Sequence, residues 1–159
     1  MIGTPGETRT DPDGTTVLEL RREYPDPVAD VWAAVTESDR LARWIGTWTG
    51  HPRPGGTVAF TMTGEVDAGG EVAEPVDVTI HECEPPHRLV VDIPESPERS
   101  WRIEVTVSER DGGALLLFEQ RLPDGLDAVD VEAGWRWYLD RLGASLHGDA
   151  MPAWEDYTP

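Results

Sequence analysis

The stretch AVDVEAGWRWYLDRLGASLH, residues 128–147, decides the fold that this chain is predicted to adopt. Its apolar residues recur at the i, i+3, i+4 and i+7 spacing of one helical face. That face consists of Ala128, Val131, Trp135, Tyr138, Leu139, Leu142 and Leu146. The opposite, polar face carries Asp130, Arg136, Trp137, Asp140 and Arg141. Asp127 is predicted to cap the start of the helix and Gly148 to end it. Such a helix needs a broad apolar partner, which the rest of the chain must supply.

Length and composition predict one domain in a reducing cytoplasm. A chain of 159 residues is long enough to form one domain with its own core. No run of about 18 apolar residues is present, and the N-terminal residues lack the charged-then-apolar pattern of a secretory signal. The one cysteine, Cys83, cannot form an internal disulfide and is expected to be a small buried residue.

The charge of the chain excludes two classes of partner. Its formal net charge is −18, and all 13 basic residues are arginine. Phosphate groups would be repelled by such a surface. Neither nucleic acid nor an anionic membrane is therefore expected to bind this protein.

Period-two alternation predicts the strands of a sheet. The predicted strands are residues 15–24, 57–63, 76–84, 88–93, 101–107 and 114–122. Two short helices follow the first strand, with Asp26 capping one, Pro27 at its first position and Ser38 capping the other. Residues 46–56 and 64–75 are predicted to be loops. This order indicates an α+β fold in which a curved antiparallel sheet wraps the long C-terminal helix.

The predicted domain spans residues 15–150 and has a tail on each side. Residues 1–14 are polar and rich in Gly, Pro and Thr, which predicts a flexible N-terminal tail. Residues 151–159 form the C-terminal tail. Trp137 on the polar helix face and Trp154 in the tail allow two interpretations. They form a surface for a partner or for a homodimer, or the tail docks over the helix.

Five motifs, in a fixed order, carry a resemblance to a known family. They are PVADVWAAVTESDRLARWI, RPGGTVAFTM, ECEPPHRLVVDI, ERDGGALLLFEQRL and GWRWYLDRLGASL. The chain resembles the START-like, helix-grip (SRPBCC) superfamily, and within it the single-domain bacterial form of the heat-shock protein 90 ATPase activator family. The resemblance implies a hollow between the sheet and the C-terminal helix. Two features depart from the family pattern: the segment between Trp44 and Gly55 is short, which implies a truncated early strand, and Gln120 stands where histidine is common.

Within that implied hollow, the inward side chains are the predicted ligand-binding residues. Alternation along the strands and periodicity along the helix select them, except for His81, which the resemblance places inward. They are Phe60, Met62, His81, Val91, Ile93, Trp101, Ile103, Leu116, Phe118, Gln120, Trp135, Tyr138 and Leu139. The same wall includes Val58, Leu89, Val105 and Leu142. These residues predict a cavity for a small apolar ligand, hydrophobic or aromatic, although the same side chains would also fill a solid core.

The polar residues of this set leave the chemistry open. The resemblance implies that His81 points inward, where it would be either a general base or a hydrogen-bonded strand histidine. Gln120 would serve either a ligand or the core, and Tyr138 is expected to be a core residue with a bonded hydroxyl rather than an acid. No catalytic residue, metal site or cofactor is predicted, because metal-ligand spacings and a Gly-rich phosphate loop are missing from the sequence.

Three functions remain open from the sequence. The first is a module that binds a small hydrophobic or aromatic molecule between sheet and helix. The second is a polyketide cyclase/dehydratase-like enzyme that uses His81, Tyr138 or Gln120. The third is a protein-interaction domain of the co-chaperone kind. The binding module is favoured, because the sequence predicts an apolar wall strongly and a catalytic constellation weakly.

Overall fold

The long C-terminal helix forms over the predicted residues. In the computed structural model, which describes residues 3–159, this helix spans Ala128–His147. The Asp127 carboxylate accepts a hydrogen bond from the backbone N–H of Val129 at 2.9 Å, and Gly148 ends the helix with a φ of 69°. Both ends follow the prediction, because an Asp cap and a left-handed Gly depend on local chemistry alone.

The helices and strands are numbered in chain order. The strands are β1 (Glu7–Thr10), β2 (Thr16–Tyr24), β3 (Gly46–Thr49), β4 (Thr57–Met62), β5 (Val76–Glu84), β6 (Arg88–Ser96), β7 (Arg99–Arg110) and β8 (Gly113–Leu122). The helices are α1 (Val28–Thr36), α2 (Ser38–Leu41) and α3 (Ala128–His147). Two short 3-10 helices, Gly64–Ala68 and Trp154–Asp156, precede β5 and follow α3. No helix within residues 3–159 combines the length and the apolar character needed to cross a membrane.

The strands form one antiparallel sheet that curves around α3. Their order in the sheet is β1-β2-β8-β7-β6-β5-β4-β3. Along β8, Leu116, Phe118 and Gln120 are buried on the inner face, whereas Glu119 on the outer face is half-buried. The ring of Phe118 packs 4.6 Å from that of Trp135 on α3. The predicted α+β helix-grip architecture is therefore confirmed.

Strand β1 corrects the prediction of a flexible N-terminal tail over residues 1–14, of which the first two lie outside the described residues. Glu7–Thr10 pairs with β2 as an edge strand. All four of its residues are exposed, so no apolar alternation marks the strand in the sequence. Arg9 holds it in place by donating hydrogen bonds to Glu19 at 2.9 Å and to Glu119 at 2.6 Å.

The opposite edge of the sheet also differs from the prediction. Residues 46–56 were predicted to be a loop, yet Gly46–Thr49 forms β3 and pairs with β4. The backbone N–H of Trp48 donates to the hydroxyl of Ser38 at 3.1 Å, which ties this strand to α2. The strand has only 4 residues, as expected from the short segment between the family motifs.

The N-caps of the first two helices each lie one residue away from the predicted cap residue. Pro27 is the N-cap of α1, and the helix starts at Val28. Asp26 accepts no helix N–H; it lies 2.6 Å from Nε2 of His147 at the end of α3. Ser38 is the first residue of α2 rather than its cap. Helix ends shift by a residue easily when no side chain caps them.

The polar face of α3 is covered by the C-terminal tail. Trp137, predicted to be exposed, is only 1% exposed. Its indole N–H donates to the carbonyl of Pro152 at 2.9 Å, and its ring meets that of Trp154 edge-on at 5.3 Å. The guanidinium of Arg141 stacks on its ring at 4.7 Å. Docking of the tail, one of the two interpretations of these tryptophans, is the correct one, and the prediction of an exposed Trp137 is wrong.

One carboxylate joins both ends of the chain to α3. Asp140 accepts hydrogen bonds from the backbone N–H of Gly3 at 2.8 Å, from Nε of Arg22 at 3.0 Å and from the hydroxyl of Tyr157 at 2.8 Å. Burial, with the Asp140 carboxylate adding to it, raises the pKa of Tyr157. Asp140 therefore binds the segment before β1, strand β2 and the C-terminal tail at one point.

Candidate ligand-binding site between sheet and helix

An apolar cavity lies between the inner face of the sheet and α3. Its volume is about 80 Å³. Of the residues that the structure describes, only aliphatic and aromatic ones line it: Val35, Leu41, Trp44, Ile45, Trp48, Phe60, Val78, Leu89, Val91, Ile93, Ile103, Val105, Leu116, Phe118, Trp135 and Leu139. A space of this kind favours apolar matter over water, because no polar side chain is available to hold a water molecule.

The two short helices close one end of the cavity. Leu41, Trp44 and Ile45 bring apolar side chains to it from α2 and the turn that follows. The indole N–H of Trp44 is satisfied by the carbonyl of Ala34 at 2.8 Å, so its ring presents only carbon to the space. The sequence predicts a short helix after Ser38, but it does not indicate that these side chains reach the site.

Trp135 forms the wall that α3 contributes. It is 6% exposed, and its indole N–H donates to Oε1 of Gln120 at 2.6 Å. Gln120 is fully buried among the apolar side chains of the inner face. This hydrogen bond fixes the orientation of the indole ring beside Phe118.

A groove lies on the other side of Trp135. Its volume is about 290 Å³, and it is lined by Met62, Glu65, Trp101, Asp130, Val131, Gly134, Trp135 and Tyr138. The hydroxyl of Tyr138 donates to Glu65 at 2.7 Å. Burial, together with this bond to a carboxylate, raises the pKa of Tyr138. Trp135 is the residue that the linings of the cavity and the groove share.

His81 does not join the site. A β-bulge between Ile80 and Glu82 leaves His81 as an extra residue in the ladder with β6. Its side chain is 38% exposed on the outer face of the sheet. The bulge also changes the phase of the strand, so that Cys83 beyond it packs against the core. The inward orientation predicted for His81 is wrong, since the resemblance could not show this bulge.

The surroundings of His81 are ionic rather than apolar. Its Nε2 lies 2.6 Å from a carboxylate oxygen of Asp92, which also accepts hydrogen bonds from Arg102. The Arg102 guanidinium, with a smaller contribution from His81, holds the pKa of Asp92 below its usual range. This arrangement is a solvent-facing ion-pair cluster and offers no base to the cavity.

The structure divides the predicted ligand-binding residues into four groups. Those that line the cavity are Phe60, Val91, Ile93, Ile103, Leu116, Phe118, Trp135 and Leu139. Met62, Trp101 and Tyr138 line the groove instead. Gln120 lies behind Trp135, and His81 lies on the outer face. Within residues 3–159, no three His, Cys, Asp or Glu side chains converge in a way that would hold a metal ion.

A curved sheet closed on a long helix around an apolar cavity defines the helix-grip, START-like class of proteins. Residues 26–147 match the family described as Activator of Hsp90 ATPase homolog 1-like protein, and the chain belongs to that family. A comparison with curated proteins finds no match.

Solved structures of similar fold cover most of the chain. CalU16 from Micromonospora echinospora is 29% identical, with 96% of this chain and 88% of CalU16 covered at a TM-score of 0.73. The protein encoded by gene BPP1335 from Bordetella parapertussis is 22% identical, with 99% of this chain and 92% of that protein covered at a TM-score of 0.73. DynU16, described as a protein of the dynemicin biosynthetic locus, is 20% identical, with 82% of this chain and 47% of DynU16 covered at a TM-score of 0.66. The last two similarities concern the fold alone.

Proposed function

We propose that this protein binds a small hydrophobic or aromatic molecule between the sheet and α3. The observation that carries the proposal is the cavity, which remains unfilled and wholly apolar although three tryptophans, Trp44, Trp48 and Trp135, line it. An apolar ligand that enters such a space gains about 25 cal/mol for each Å² of surface it buries. Binding of this kind needs no polar group in the wall.

The size of the cavity sets what can enter. An apolar cavity of about 150 Å³ in another protein binds benzene, and the cavity here is about 80 Å³. The cavity alone therefore suits a very small molecule. A larger ligand requires Trp135 to move, which would join the cavity to the groove of about 290 Å³.

The positions of the polar residues support binding over catalysis. The proposed general base, His81, lies outside the cavity on the opposite face of the sheet. Tyr138 is a weak acid at neutral pH, because burial and the bond to Glu65 raise its pKa. Both residues are candidates for a cyclase or dehydratase mechanism. His81 lies outside the cavity, and Tyr138, which lines the groove, holds its proton more tightly than a free tyrosine does.

A pair of substitutions on adjacent residues of β8 tests the proposal. Leu116 lines the cavity, and Leu117 lies on the outer face. Benzene and indane should raise the melting temperature of the unmodified protein and of Leu117→Trp, because they bind only the folded state. Leu116→Trp fills the cavity and should abolish the shift.

A substitution at a second cavity residue keeps the test available if the first variant does not fold. If Leu116→Trp does not fold, Val91→Phe provides a smaller obstruction on β6. Equal thermal shifts in all variants would place binding elsewhere on the protein. No shift in the unmodified protein with either compound would overturn the proposed function.

A further inference from the structure

One buried amide on the inner face of the sheet lacks a partner. Oε1 of Gln120 accepts from Trp135, but Nε2 makes no hydrogen bond with any described residue. The side chain is 0% exposed, and its cross-strand neighbours are Leu18 on β2 and Ile103 on β7. A buried N–H donor without an acceptor in apolar surroundings costs about 1–3 kcal/mol.

A second unpartnered donor lies on the same face. Nε1 of Trp101 is buried and has no hydrogen-bond partner among the described residues. Ile103 pairs with Gln120 across β7 and β8, and Trp101 is two positions before Ile103 on that strand. Trp101 and Gln120 are therefore diagonal neighbours on the inner face, with Cα atoms about 7–8 Å apart.

One donor lies at the groove, and the other lies beside Trp135, which lines both spaces. Trp101 lines the groove, and Gln120 is bonded to Trp135, which lines the groove and the cavity. A ligand large enough to displace the Trp135 ring would break the bond of that ring to Gln120, and it would reach the amide of Gln120 and the indole N–H of Trp101. The rest of the cavity wall offers such a ligand aliphatic and aromatic contacts, whereas the groove adds the carboxylates of Glu65 and Asp130.

We propose that the ligand is an apolar ring compound bearing a carbonyl-type oxygen, which accepts hydrogen bonds from Gln120 Nε2 and Trp101 Nε1. This inference rests on the proposed function and specifies its ligand class. The oxygen satisfies donors that the protein leaves unpaired, and the ring system fills the joined cavity and groove. A hydrocarbon of equal size fits the walls but leaves the donors unsatisfied.

Indane and 1-indanone are matched probes, because they share a fused ring skeleton and differ by one carbonyl. Burying a carbonyl without a hydrogen bond is costly, so 1-indanone should bind much more weakly than indane in a purely apolar site. The proposal predicts that the unmodified protein binds 1-indanone at least as tightly as indane. Isothermal titration calorimetry measures both affinities.

Two variants remove one donor each. Gln120→Leu removes the amide and also the acceptor that holds the Trp135 indole, so the affinity for indane changes as well. The affinity for 1-indanone relative to that for indane should fall about tenfold, since only the ketone uses the amide N–H. Trp101→Phe keeps an aromatic ring and removes the N–H, so it should weaken 1-indanone by a smaller factor. If Gln120→Leu fails to fold, Trp101→Phe and the spectroscopic measurement below still decide the question.

Infrared spectroscopy reports the hydrogen bond directly. The carbonyl stretch of bound 1-indanone should lie below its frequency in an alkane and should rise in Trp101→Phe. A carbonyl stretch of bound 1-indanone at the alkane frequency would overturn the inference, and so would equal losses of affinity for 1-indanone and indane in the variants. The proposed function would remain intact in both cases as long as indane binds the unmodified protein. Such a result would mean that buried water satisfies the donors. Failure of indane to bind the unmodified protein would instead overturn the proposed function itself.

Discussion

Trp135 and Trp137 are two residues apart on α3, and both are buried, but against different parts of the chain. Trp135 packs on Phe118 and donates to Gln120, so the sheet buries it. Trp137 packs on Trp154 and donates to Pro152, so the C-terminal tail buries it. The two faces of one helix thus belong to two different packing layers.

This difference shows how far helical periodicity can predict burial. The apolar stripe around Trp135 faces a sheet that any helix-grip chain must supply. The face around Trp137 reads as polar because it also carries Arg136 and Arg141. The burial of Trp137 depends on the C-terminal tail that follows the helix, and no residue pattern within the helix predicts that this tail docks there.

The largest expected effect is the loss of Trp135. Trp135→Ala removes a large aromatic from the sheet side and leaves a space that the rigid sheet cannot close. We expect the free energy of unfolding to fall by about 3–5 kcal/mol. Urea denaturation, with unchanged m-values as the check on two-state behaviour, measures the loss. A loss below about 1 kcal/mol would mean that the sheet does not bury this side chain.

Trp137→Ala should cost somewhat less, about 3 kcal/mol, because the tail can settle into part of the space. The informative experiment is a double-mutant cycle with a chain that ends at Asp149. In that shortened chain Trp137 has already lost Pro152 and Trp154, so Trp137→Ala should cost under about 1 kcal/mol more. Additive losses would contradict tail docking, and the same cycle with Trp135→Ala should be additive.

The sheet side and the tail side of α3 can also be compared by the effect of alkaline pH on stability, because each contains a buried tyrosine. Burial raises the pKa of Tyr138 on the sheet side and of Tyr157 in the tail above the ordinary value for tyrosine, and it also raises the pKa of Tyr24. Above pH 10 the unfolded chain loses phenolic protons that the native protein keeps. Stability should therefore be complete below pH 10 and fall as the pH rises, by about 1.4 kcal/mol per pH unit for each tyrosine that stays protonated.

Urea melts between pH 9 and 11 measure this slope, and absorbance at 295 nm shows when tyrosinate forms. Tyr157→Phe removes the contribution of the tail and should make the slope shallower. A native protein that titrates all three tyrosines near pH 10 without unfolding would contradict the buried environment of these hydroxyls.

Much of the fold could be predicted because its signals are local or periodic. Asp127 and Gly148 mark the ends of α3 through capping chemistry, and alternation along β8 separates Leu116 and Phe118 from the outer residues. Strand β1 could not be predicted in this way. Both of its faces are exposed, and Arg9 holds it through ion pairs that no apolar pattern records.

The candidate site could be predicted only as far as the phase of each strand was correct. Ile103, Leu116 and Phe118 lie on uninterrupted ladders, and all line the cavity. His81 lies at a bulge, where one extra residue reverses the face. The contribution of Trp44 required knowledge of where α2 lies against the sheet, which is a tertiary relation and leaves no mark in the spacing of residues.

The three hydrogen bonds to Asp140 have a topological consequence. The backbone N–H of Gly3 and the hydroxyl of Tyr157 lie 2.8 Å from the same carboxylate oxygen. The two ends of the described chain are therefore neighbours in space, and a short linker could join them without crossing the sheet. The exposed turn at Gly112, where no atom would obstruct a side chain, offers a place to open the ring. The fold would then survive circular permutation, with β8 and α3 at the front of the chain.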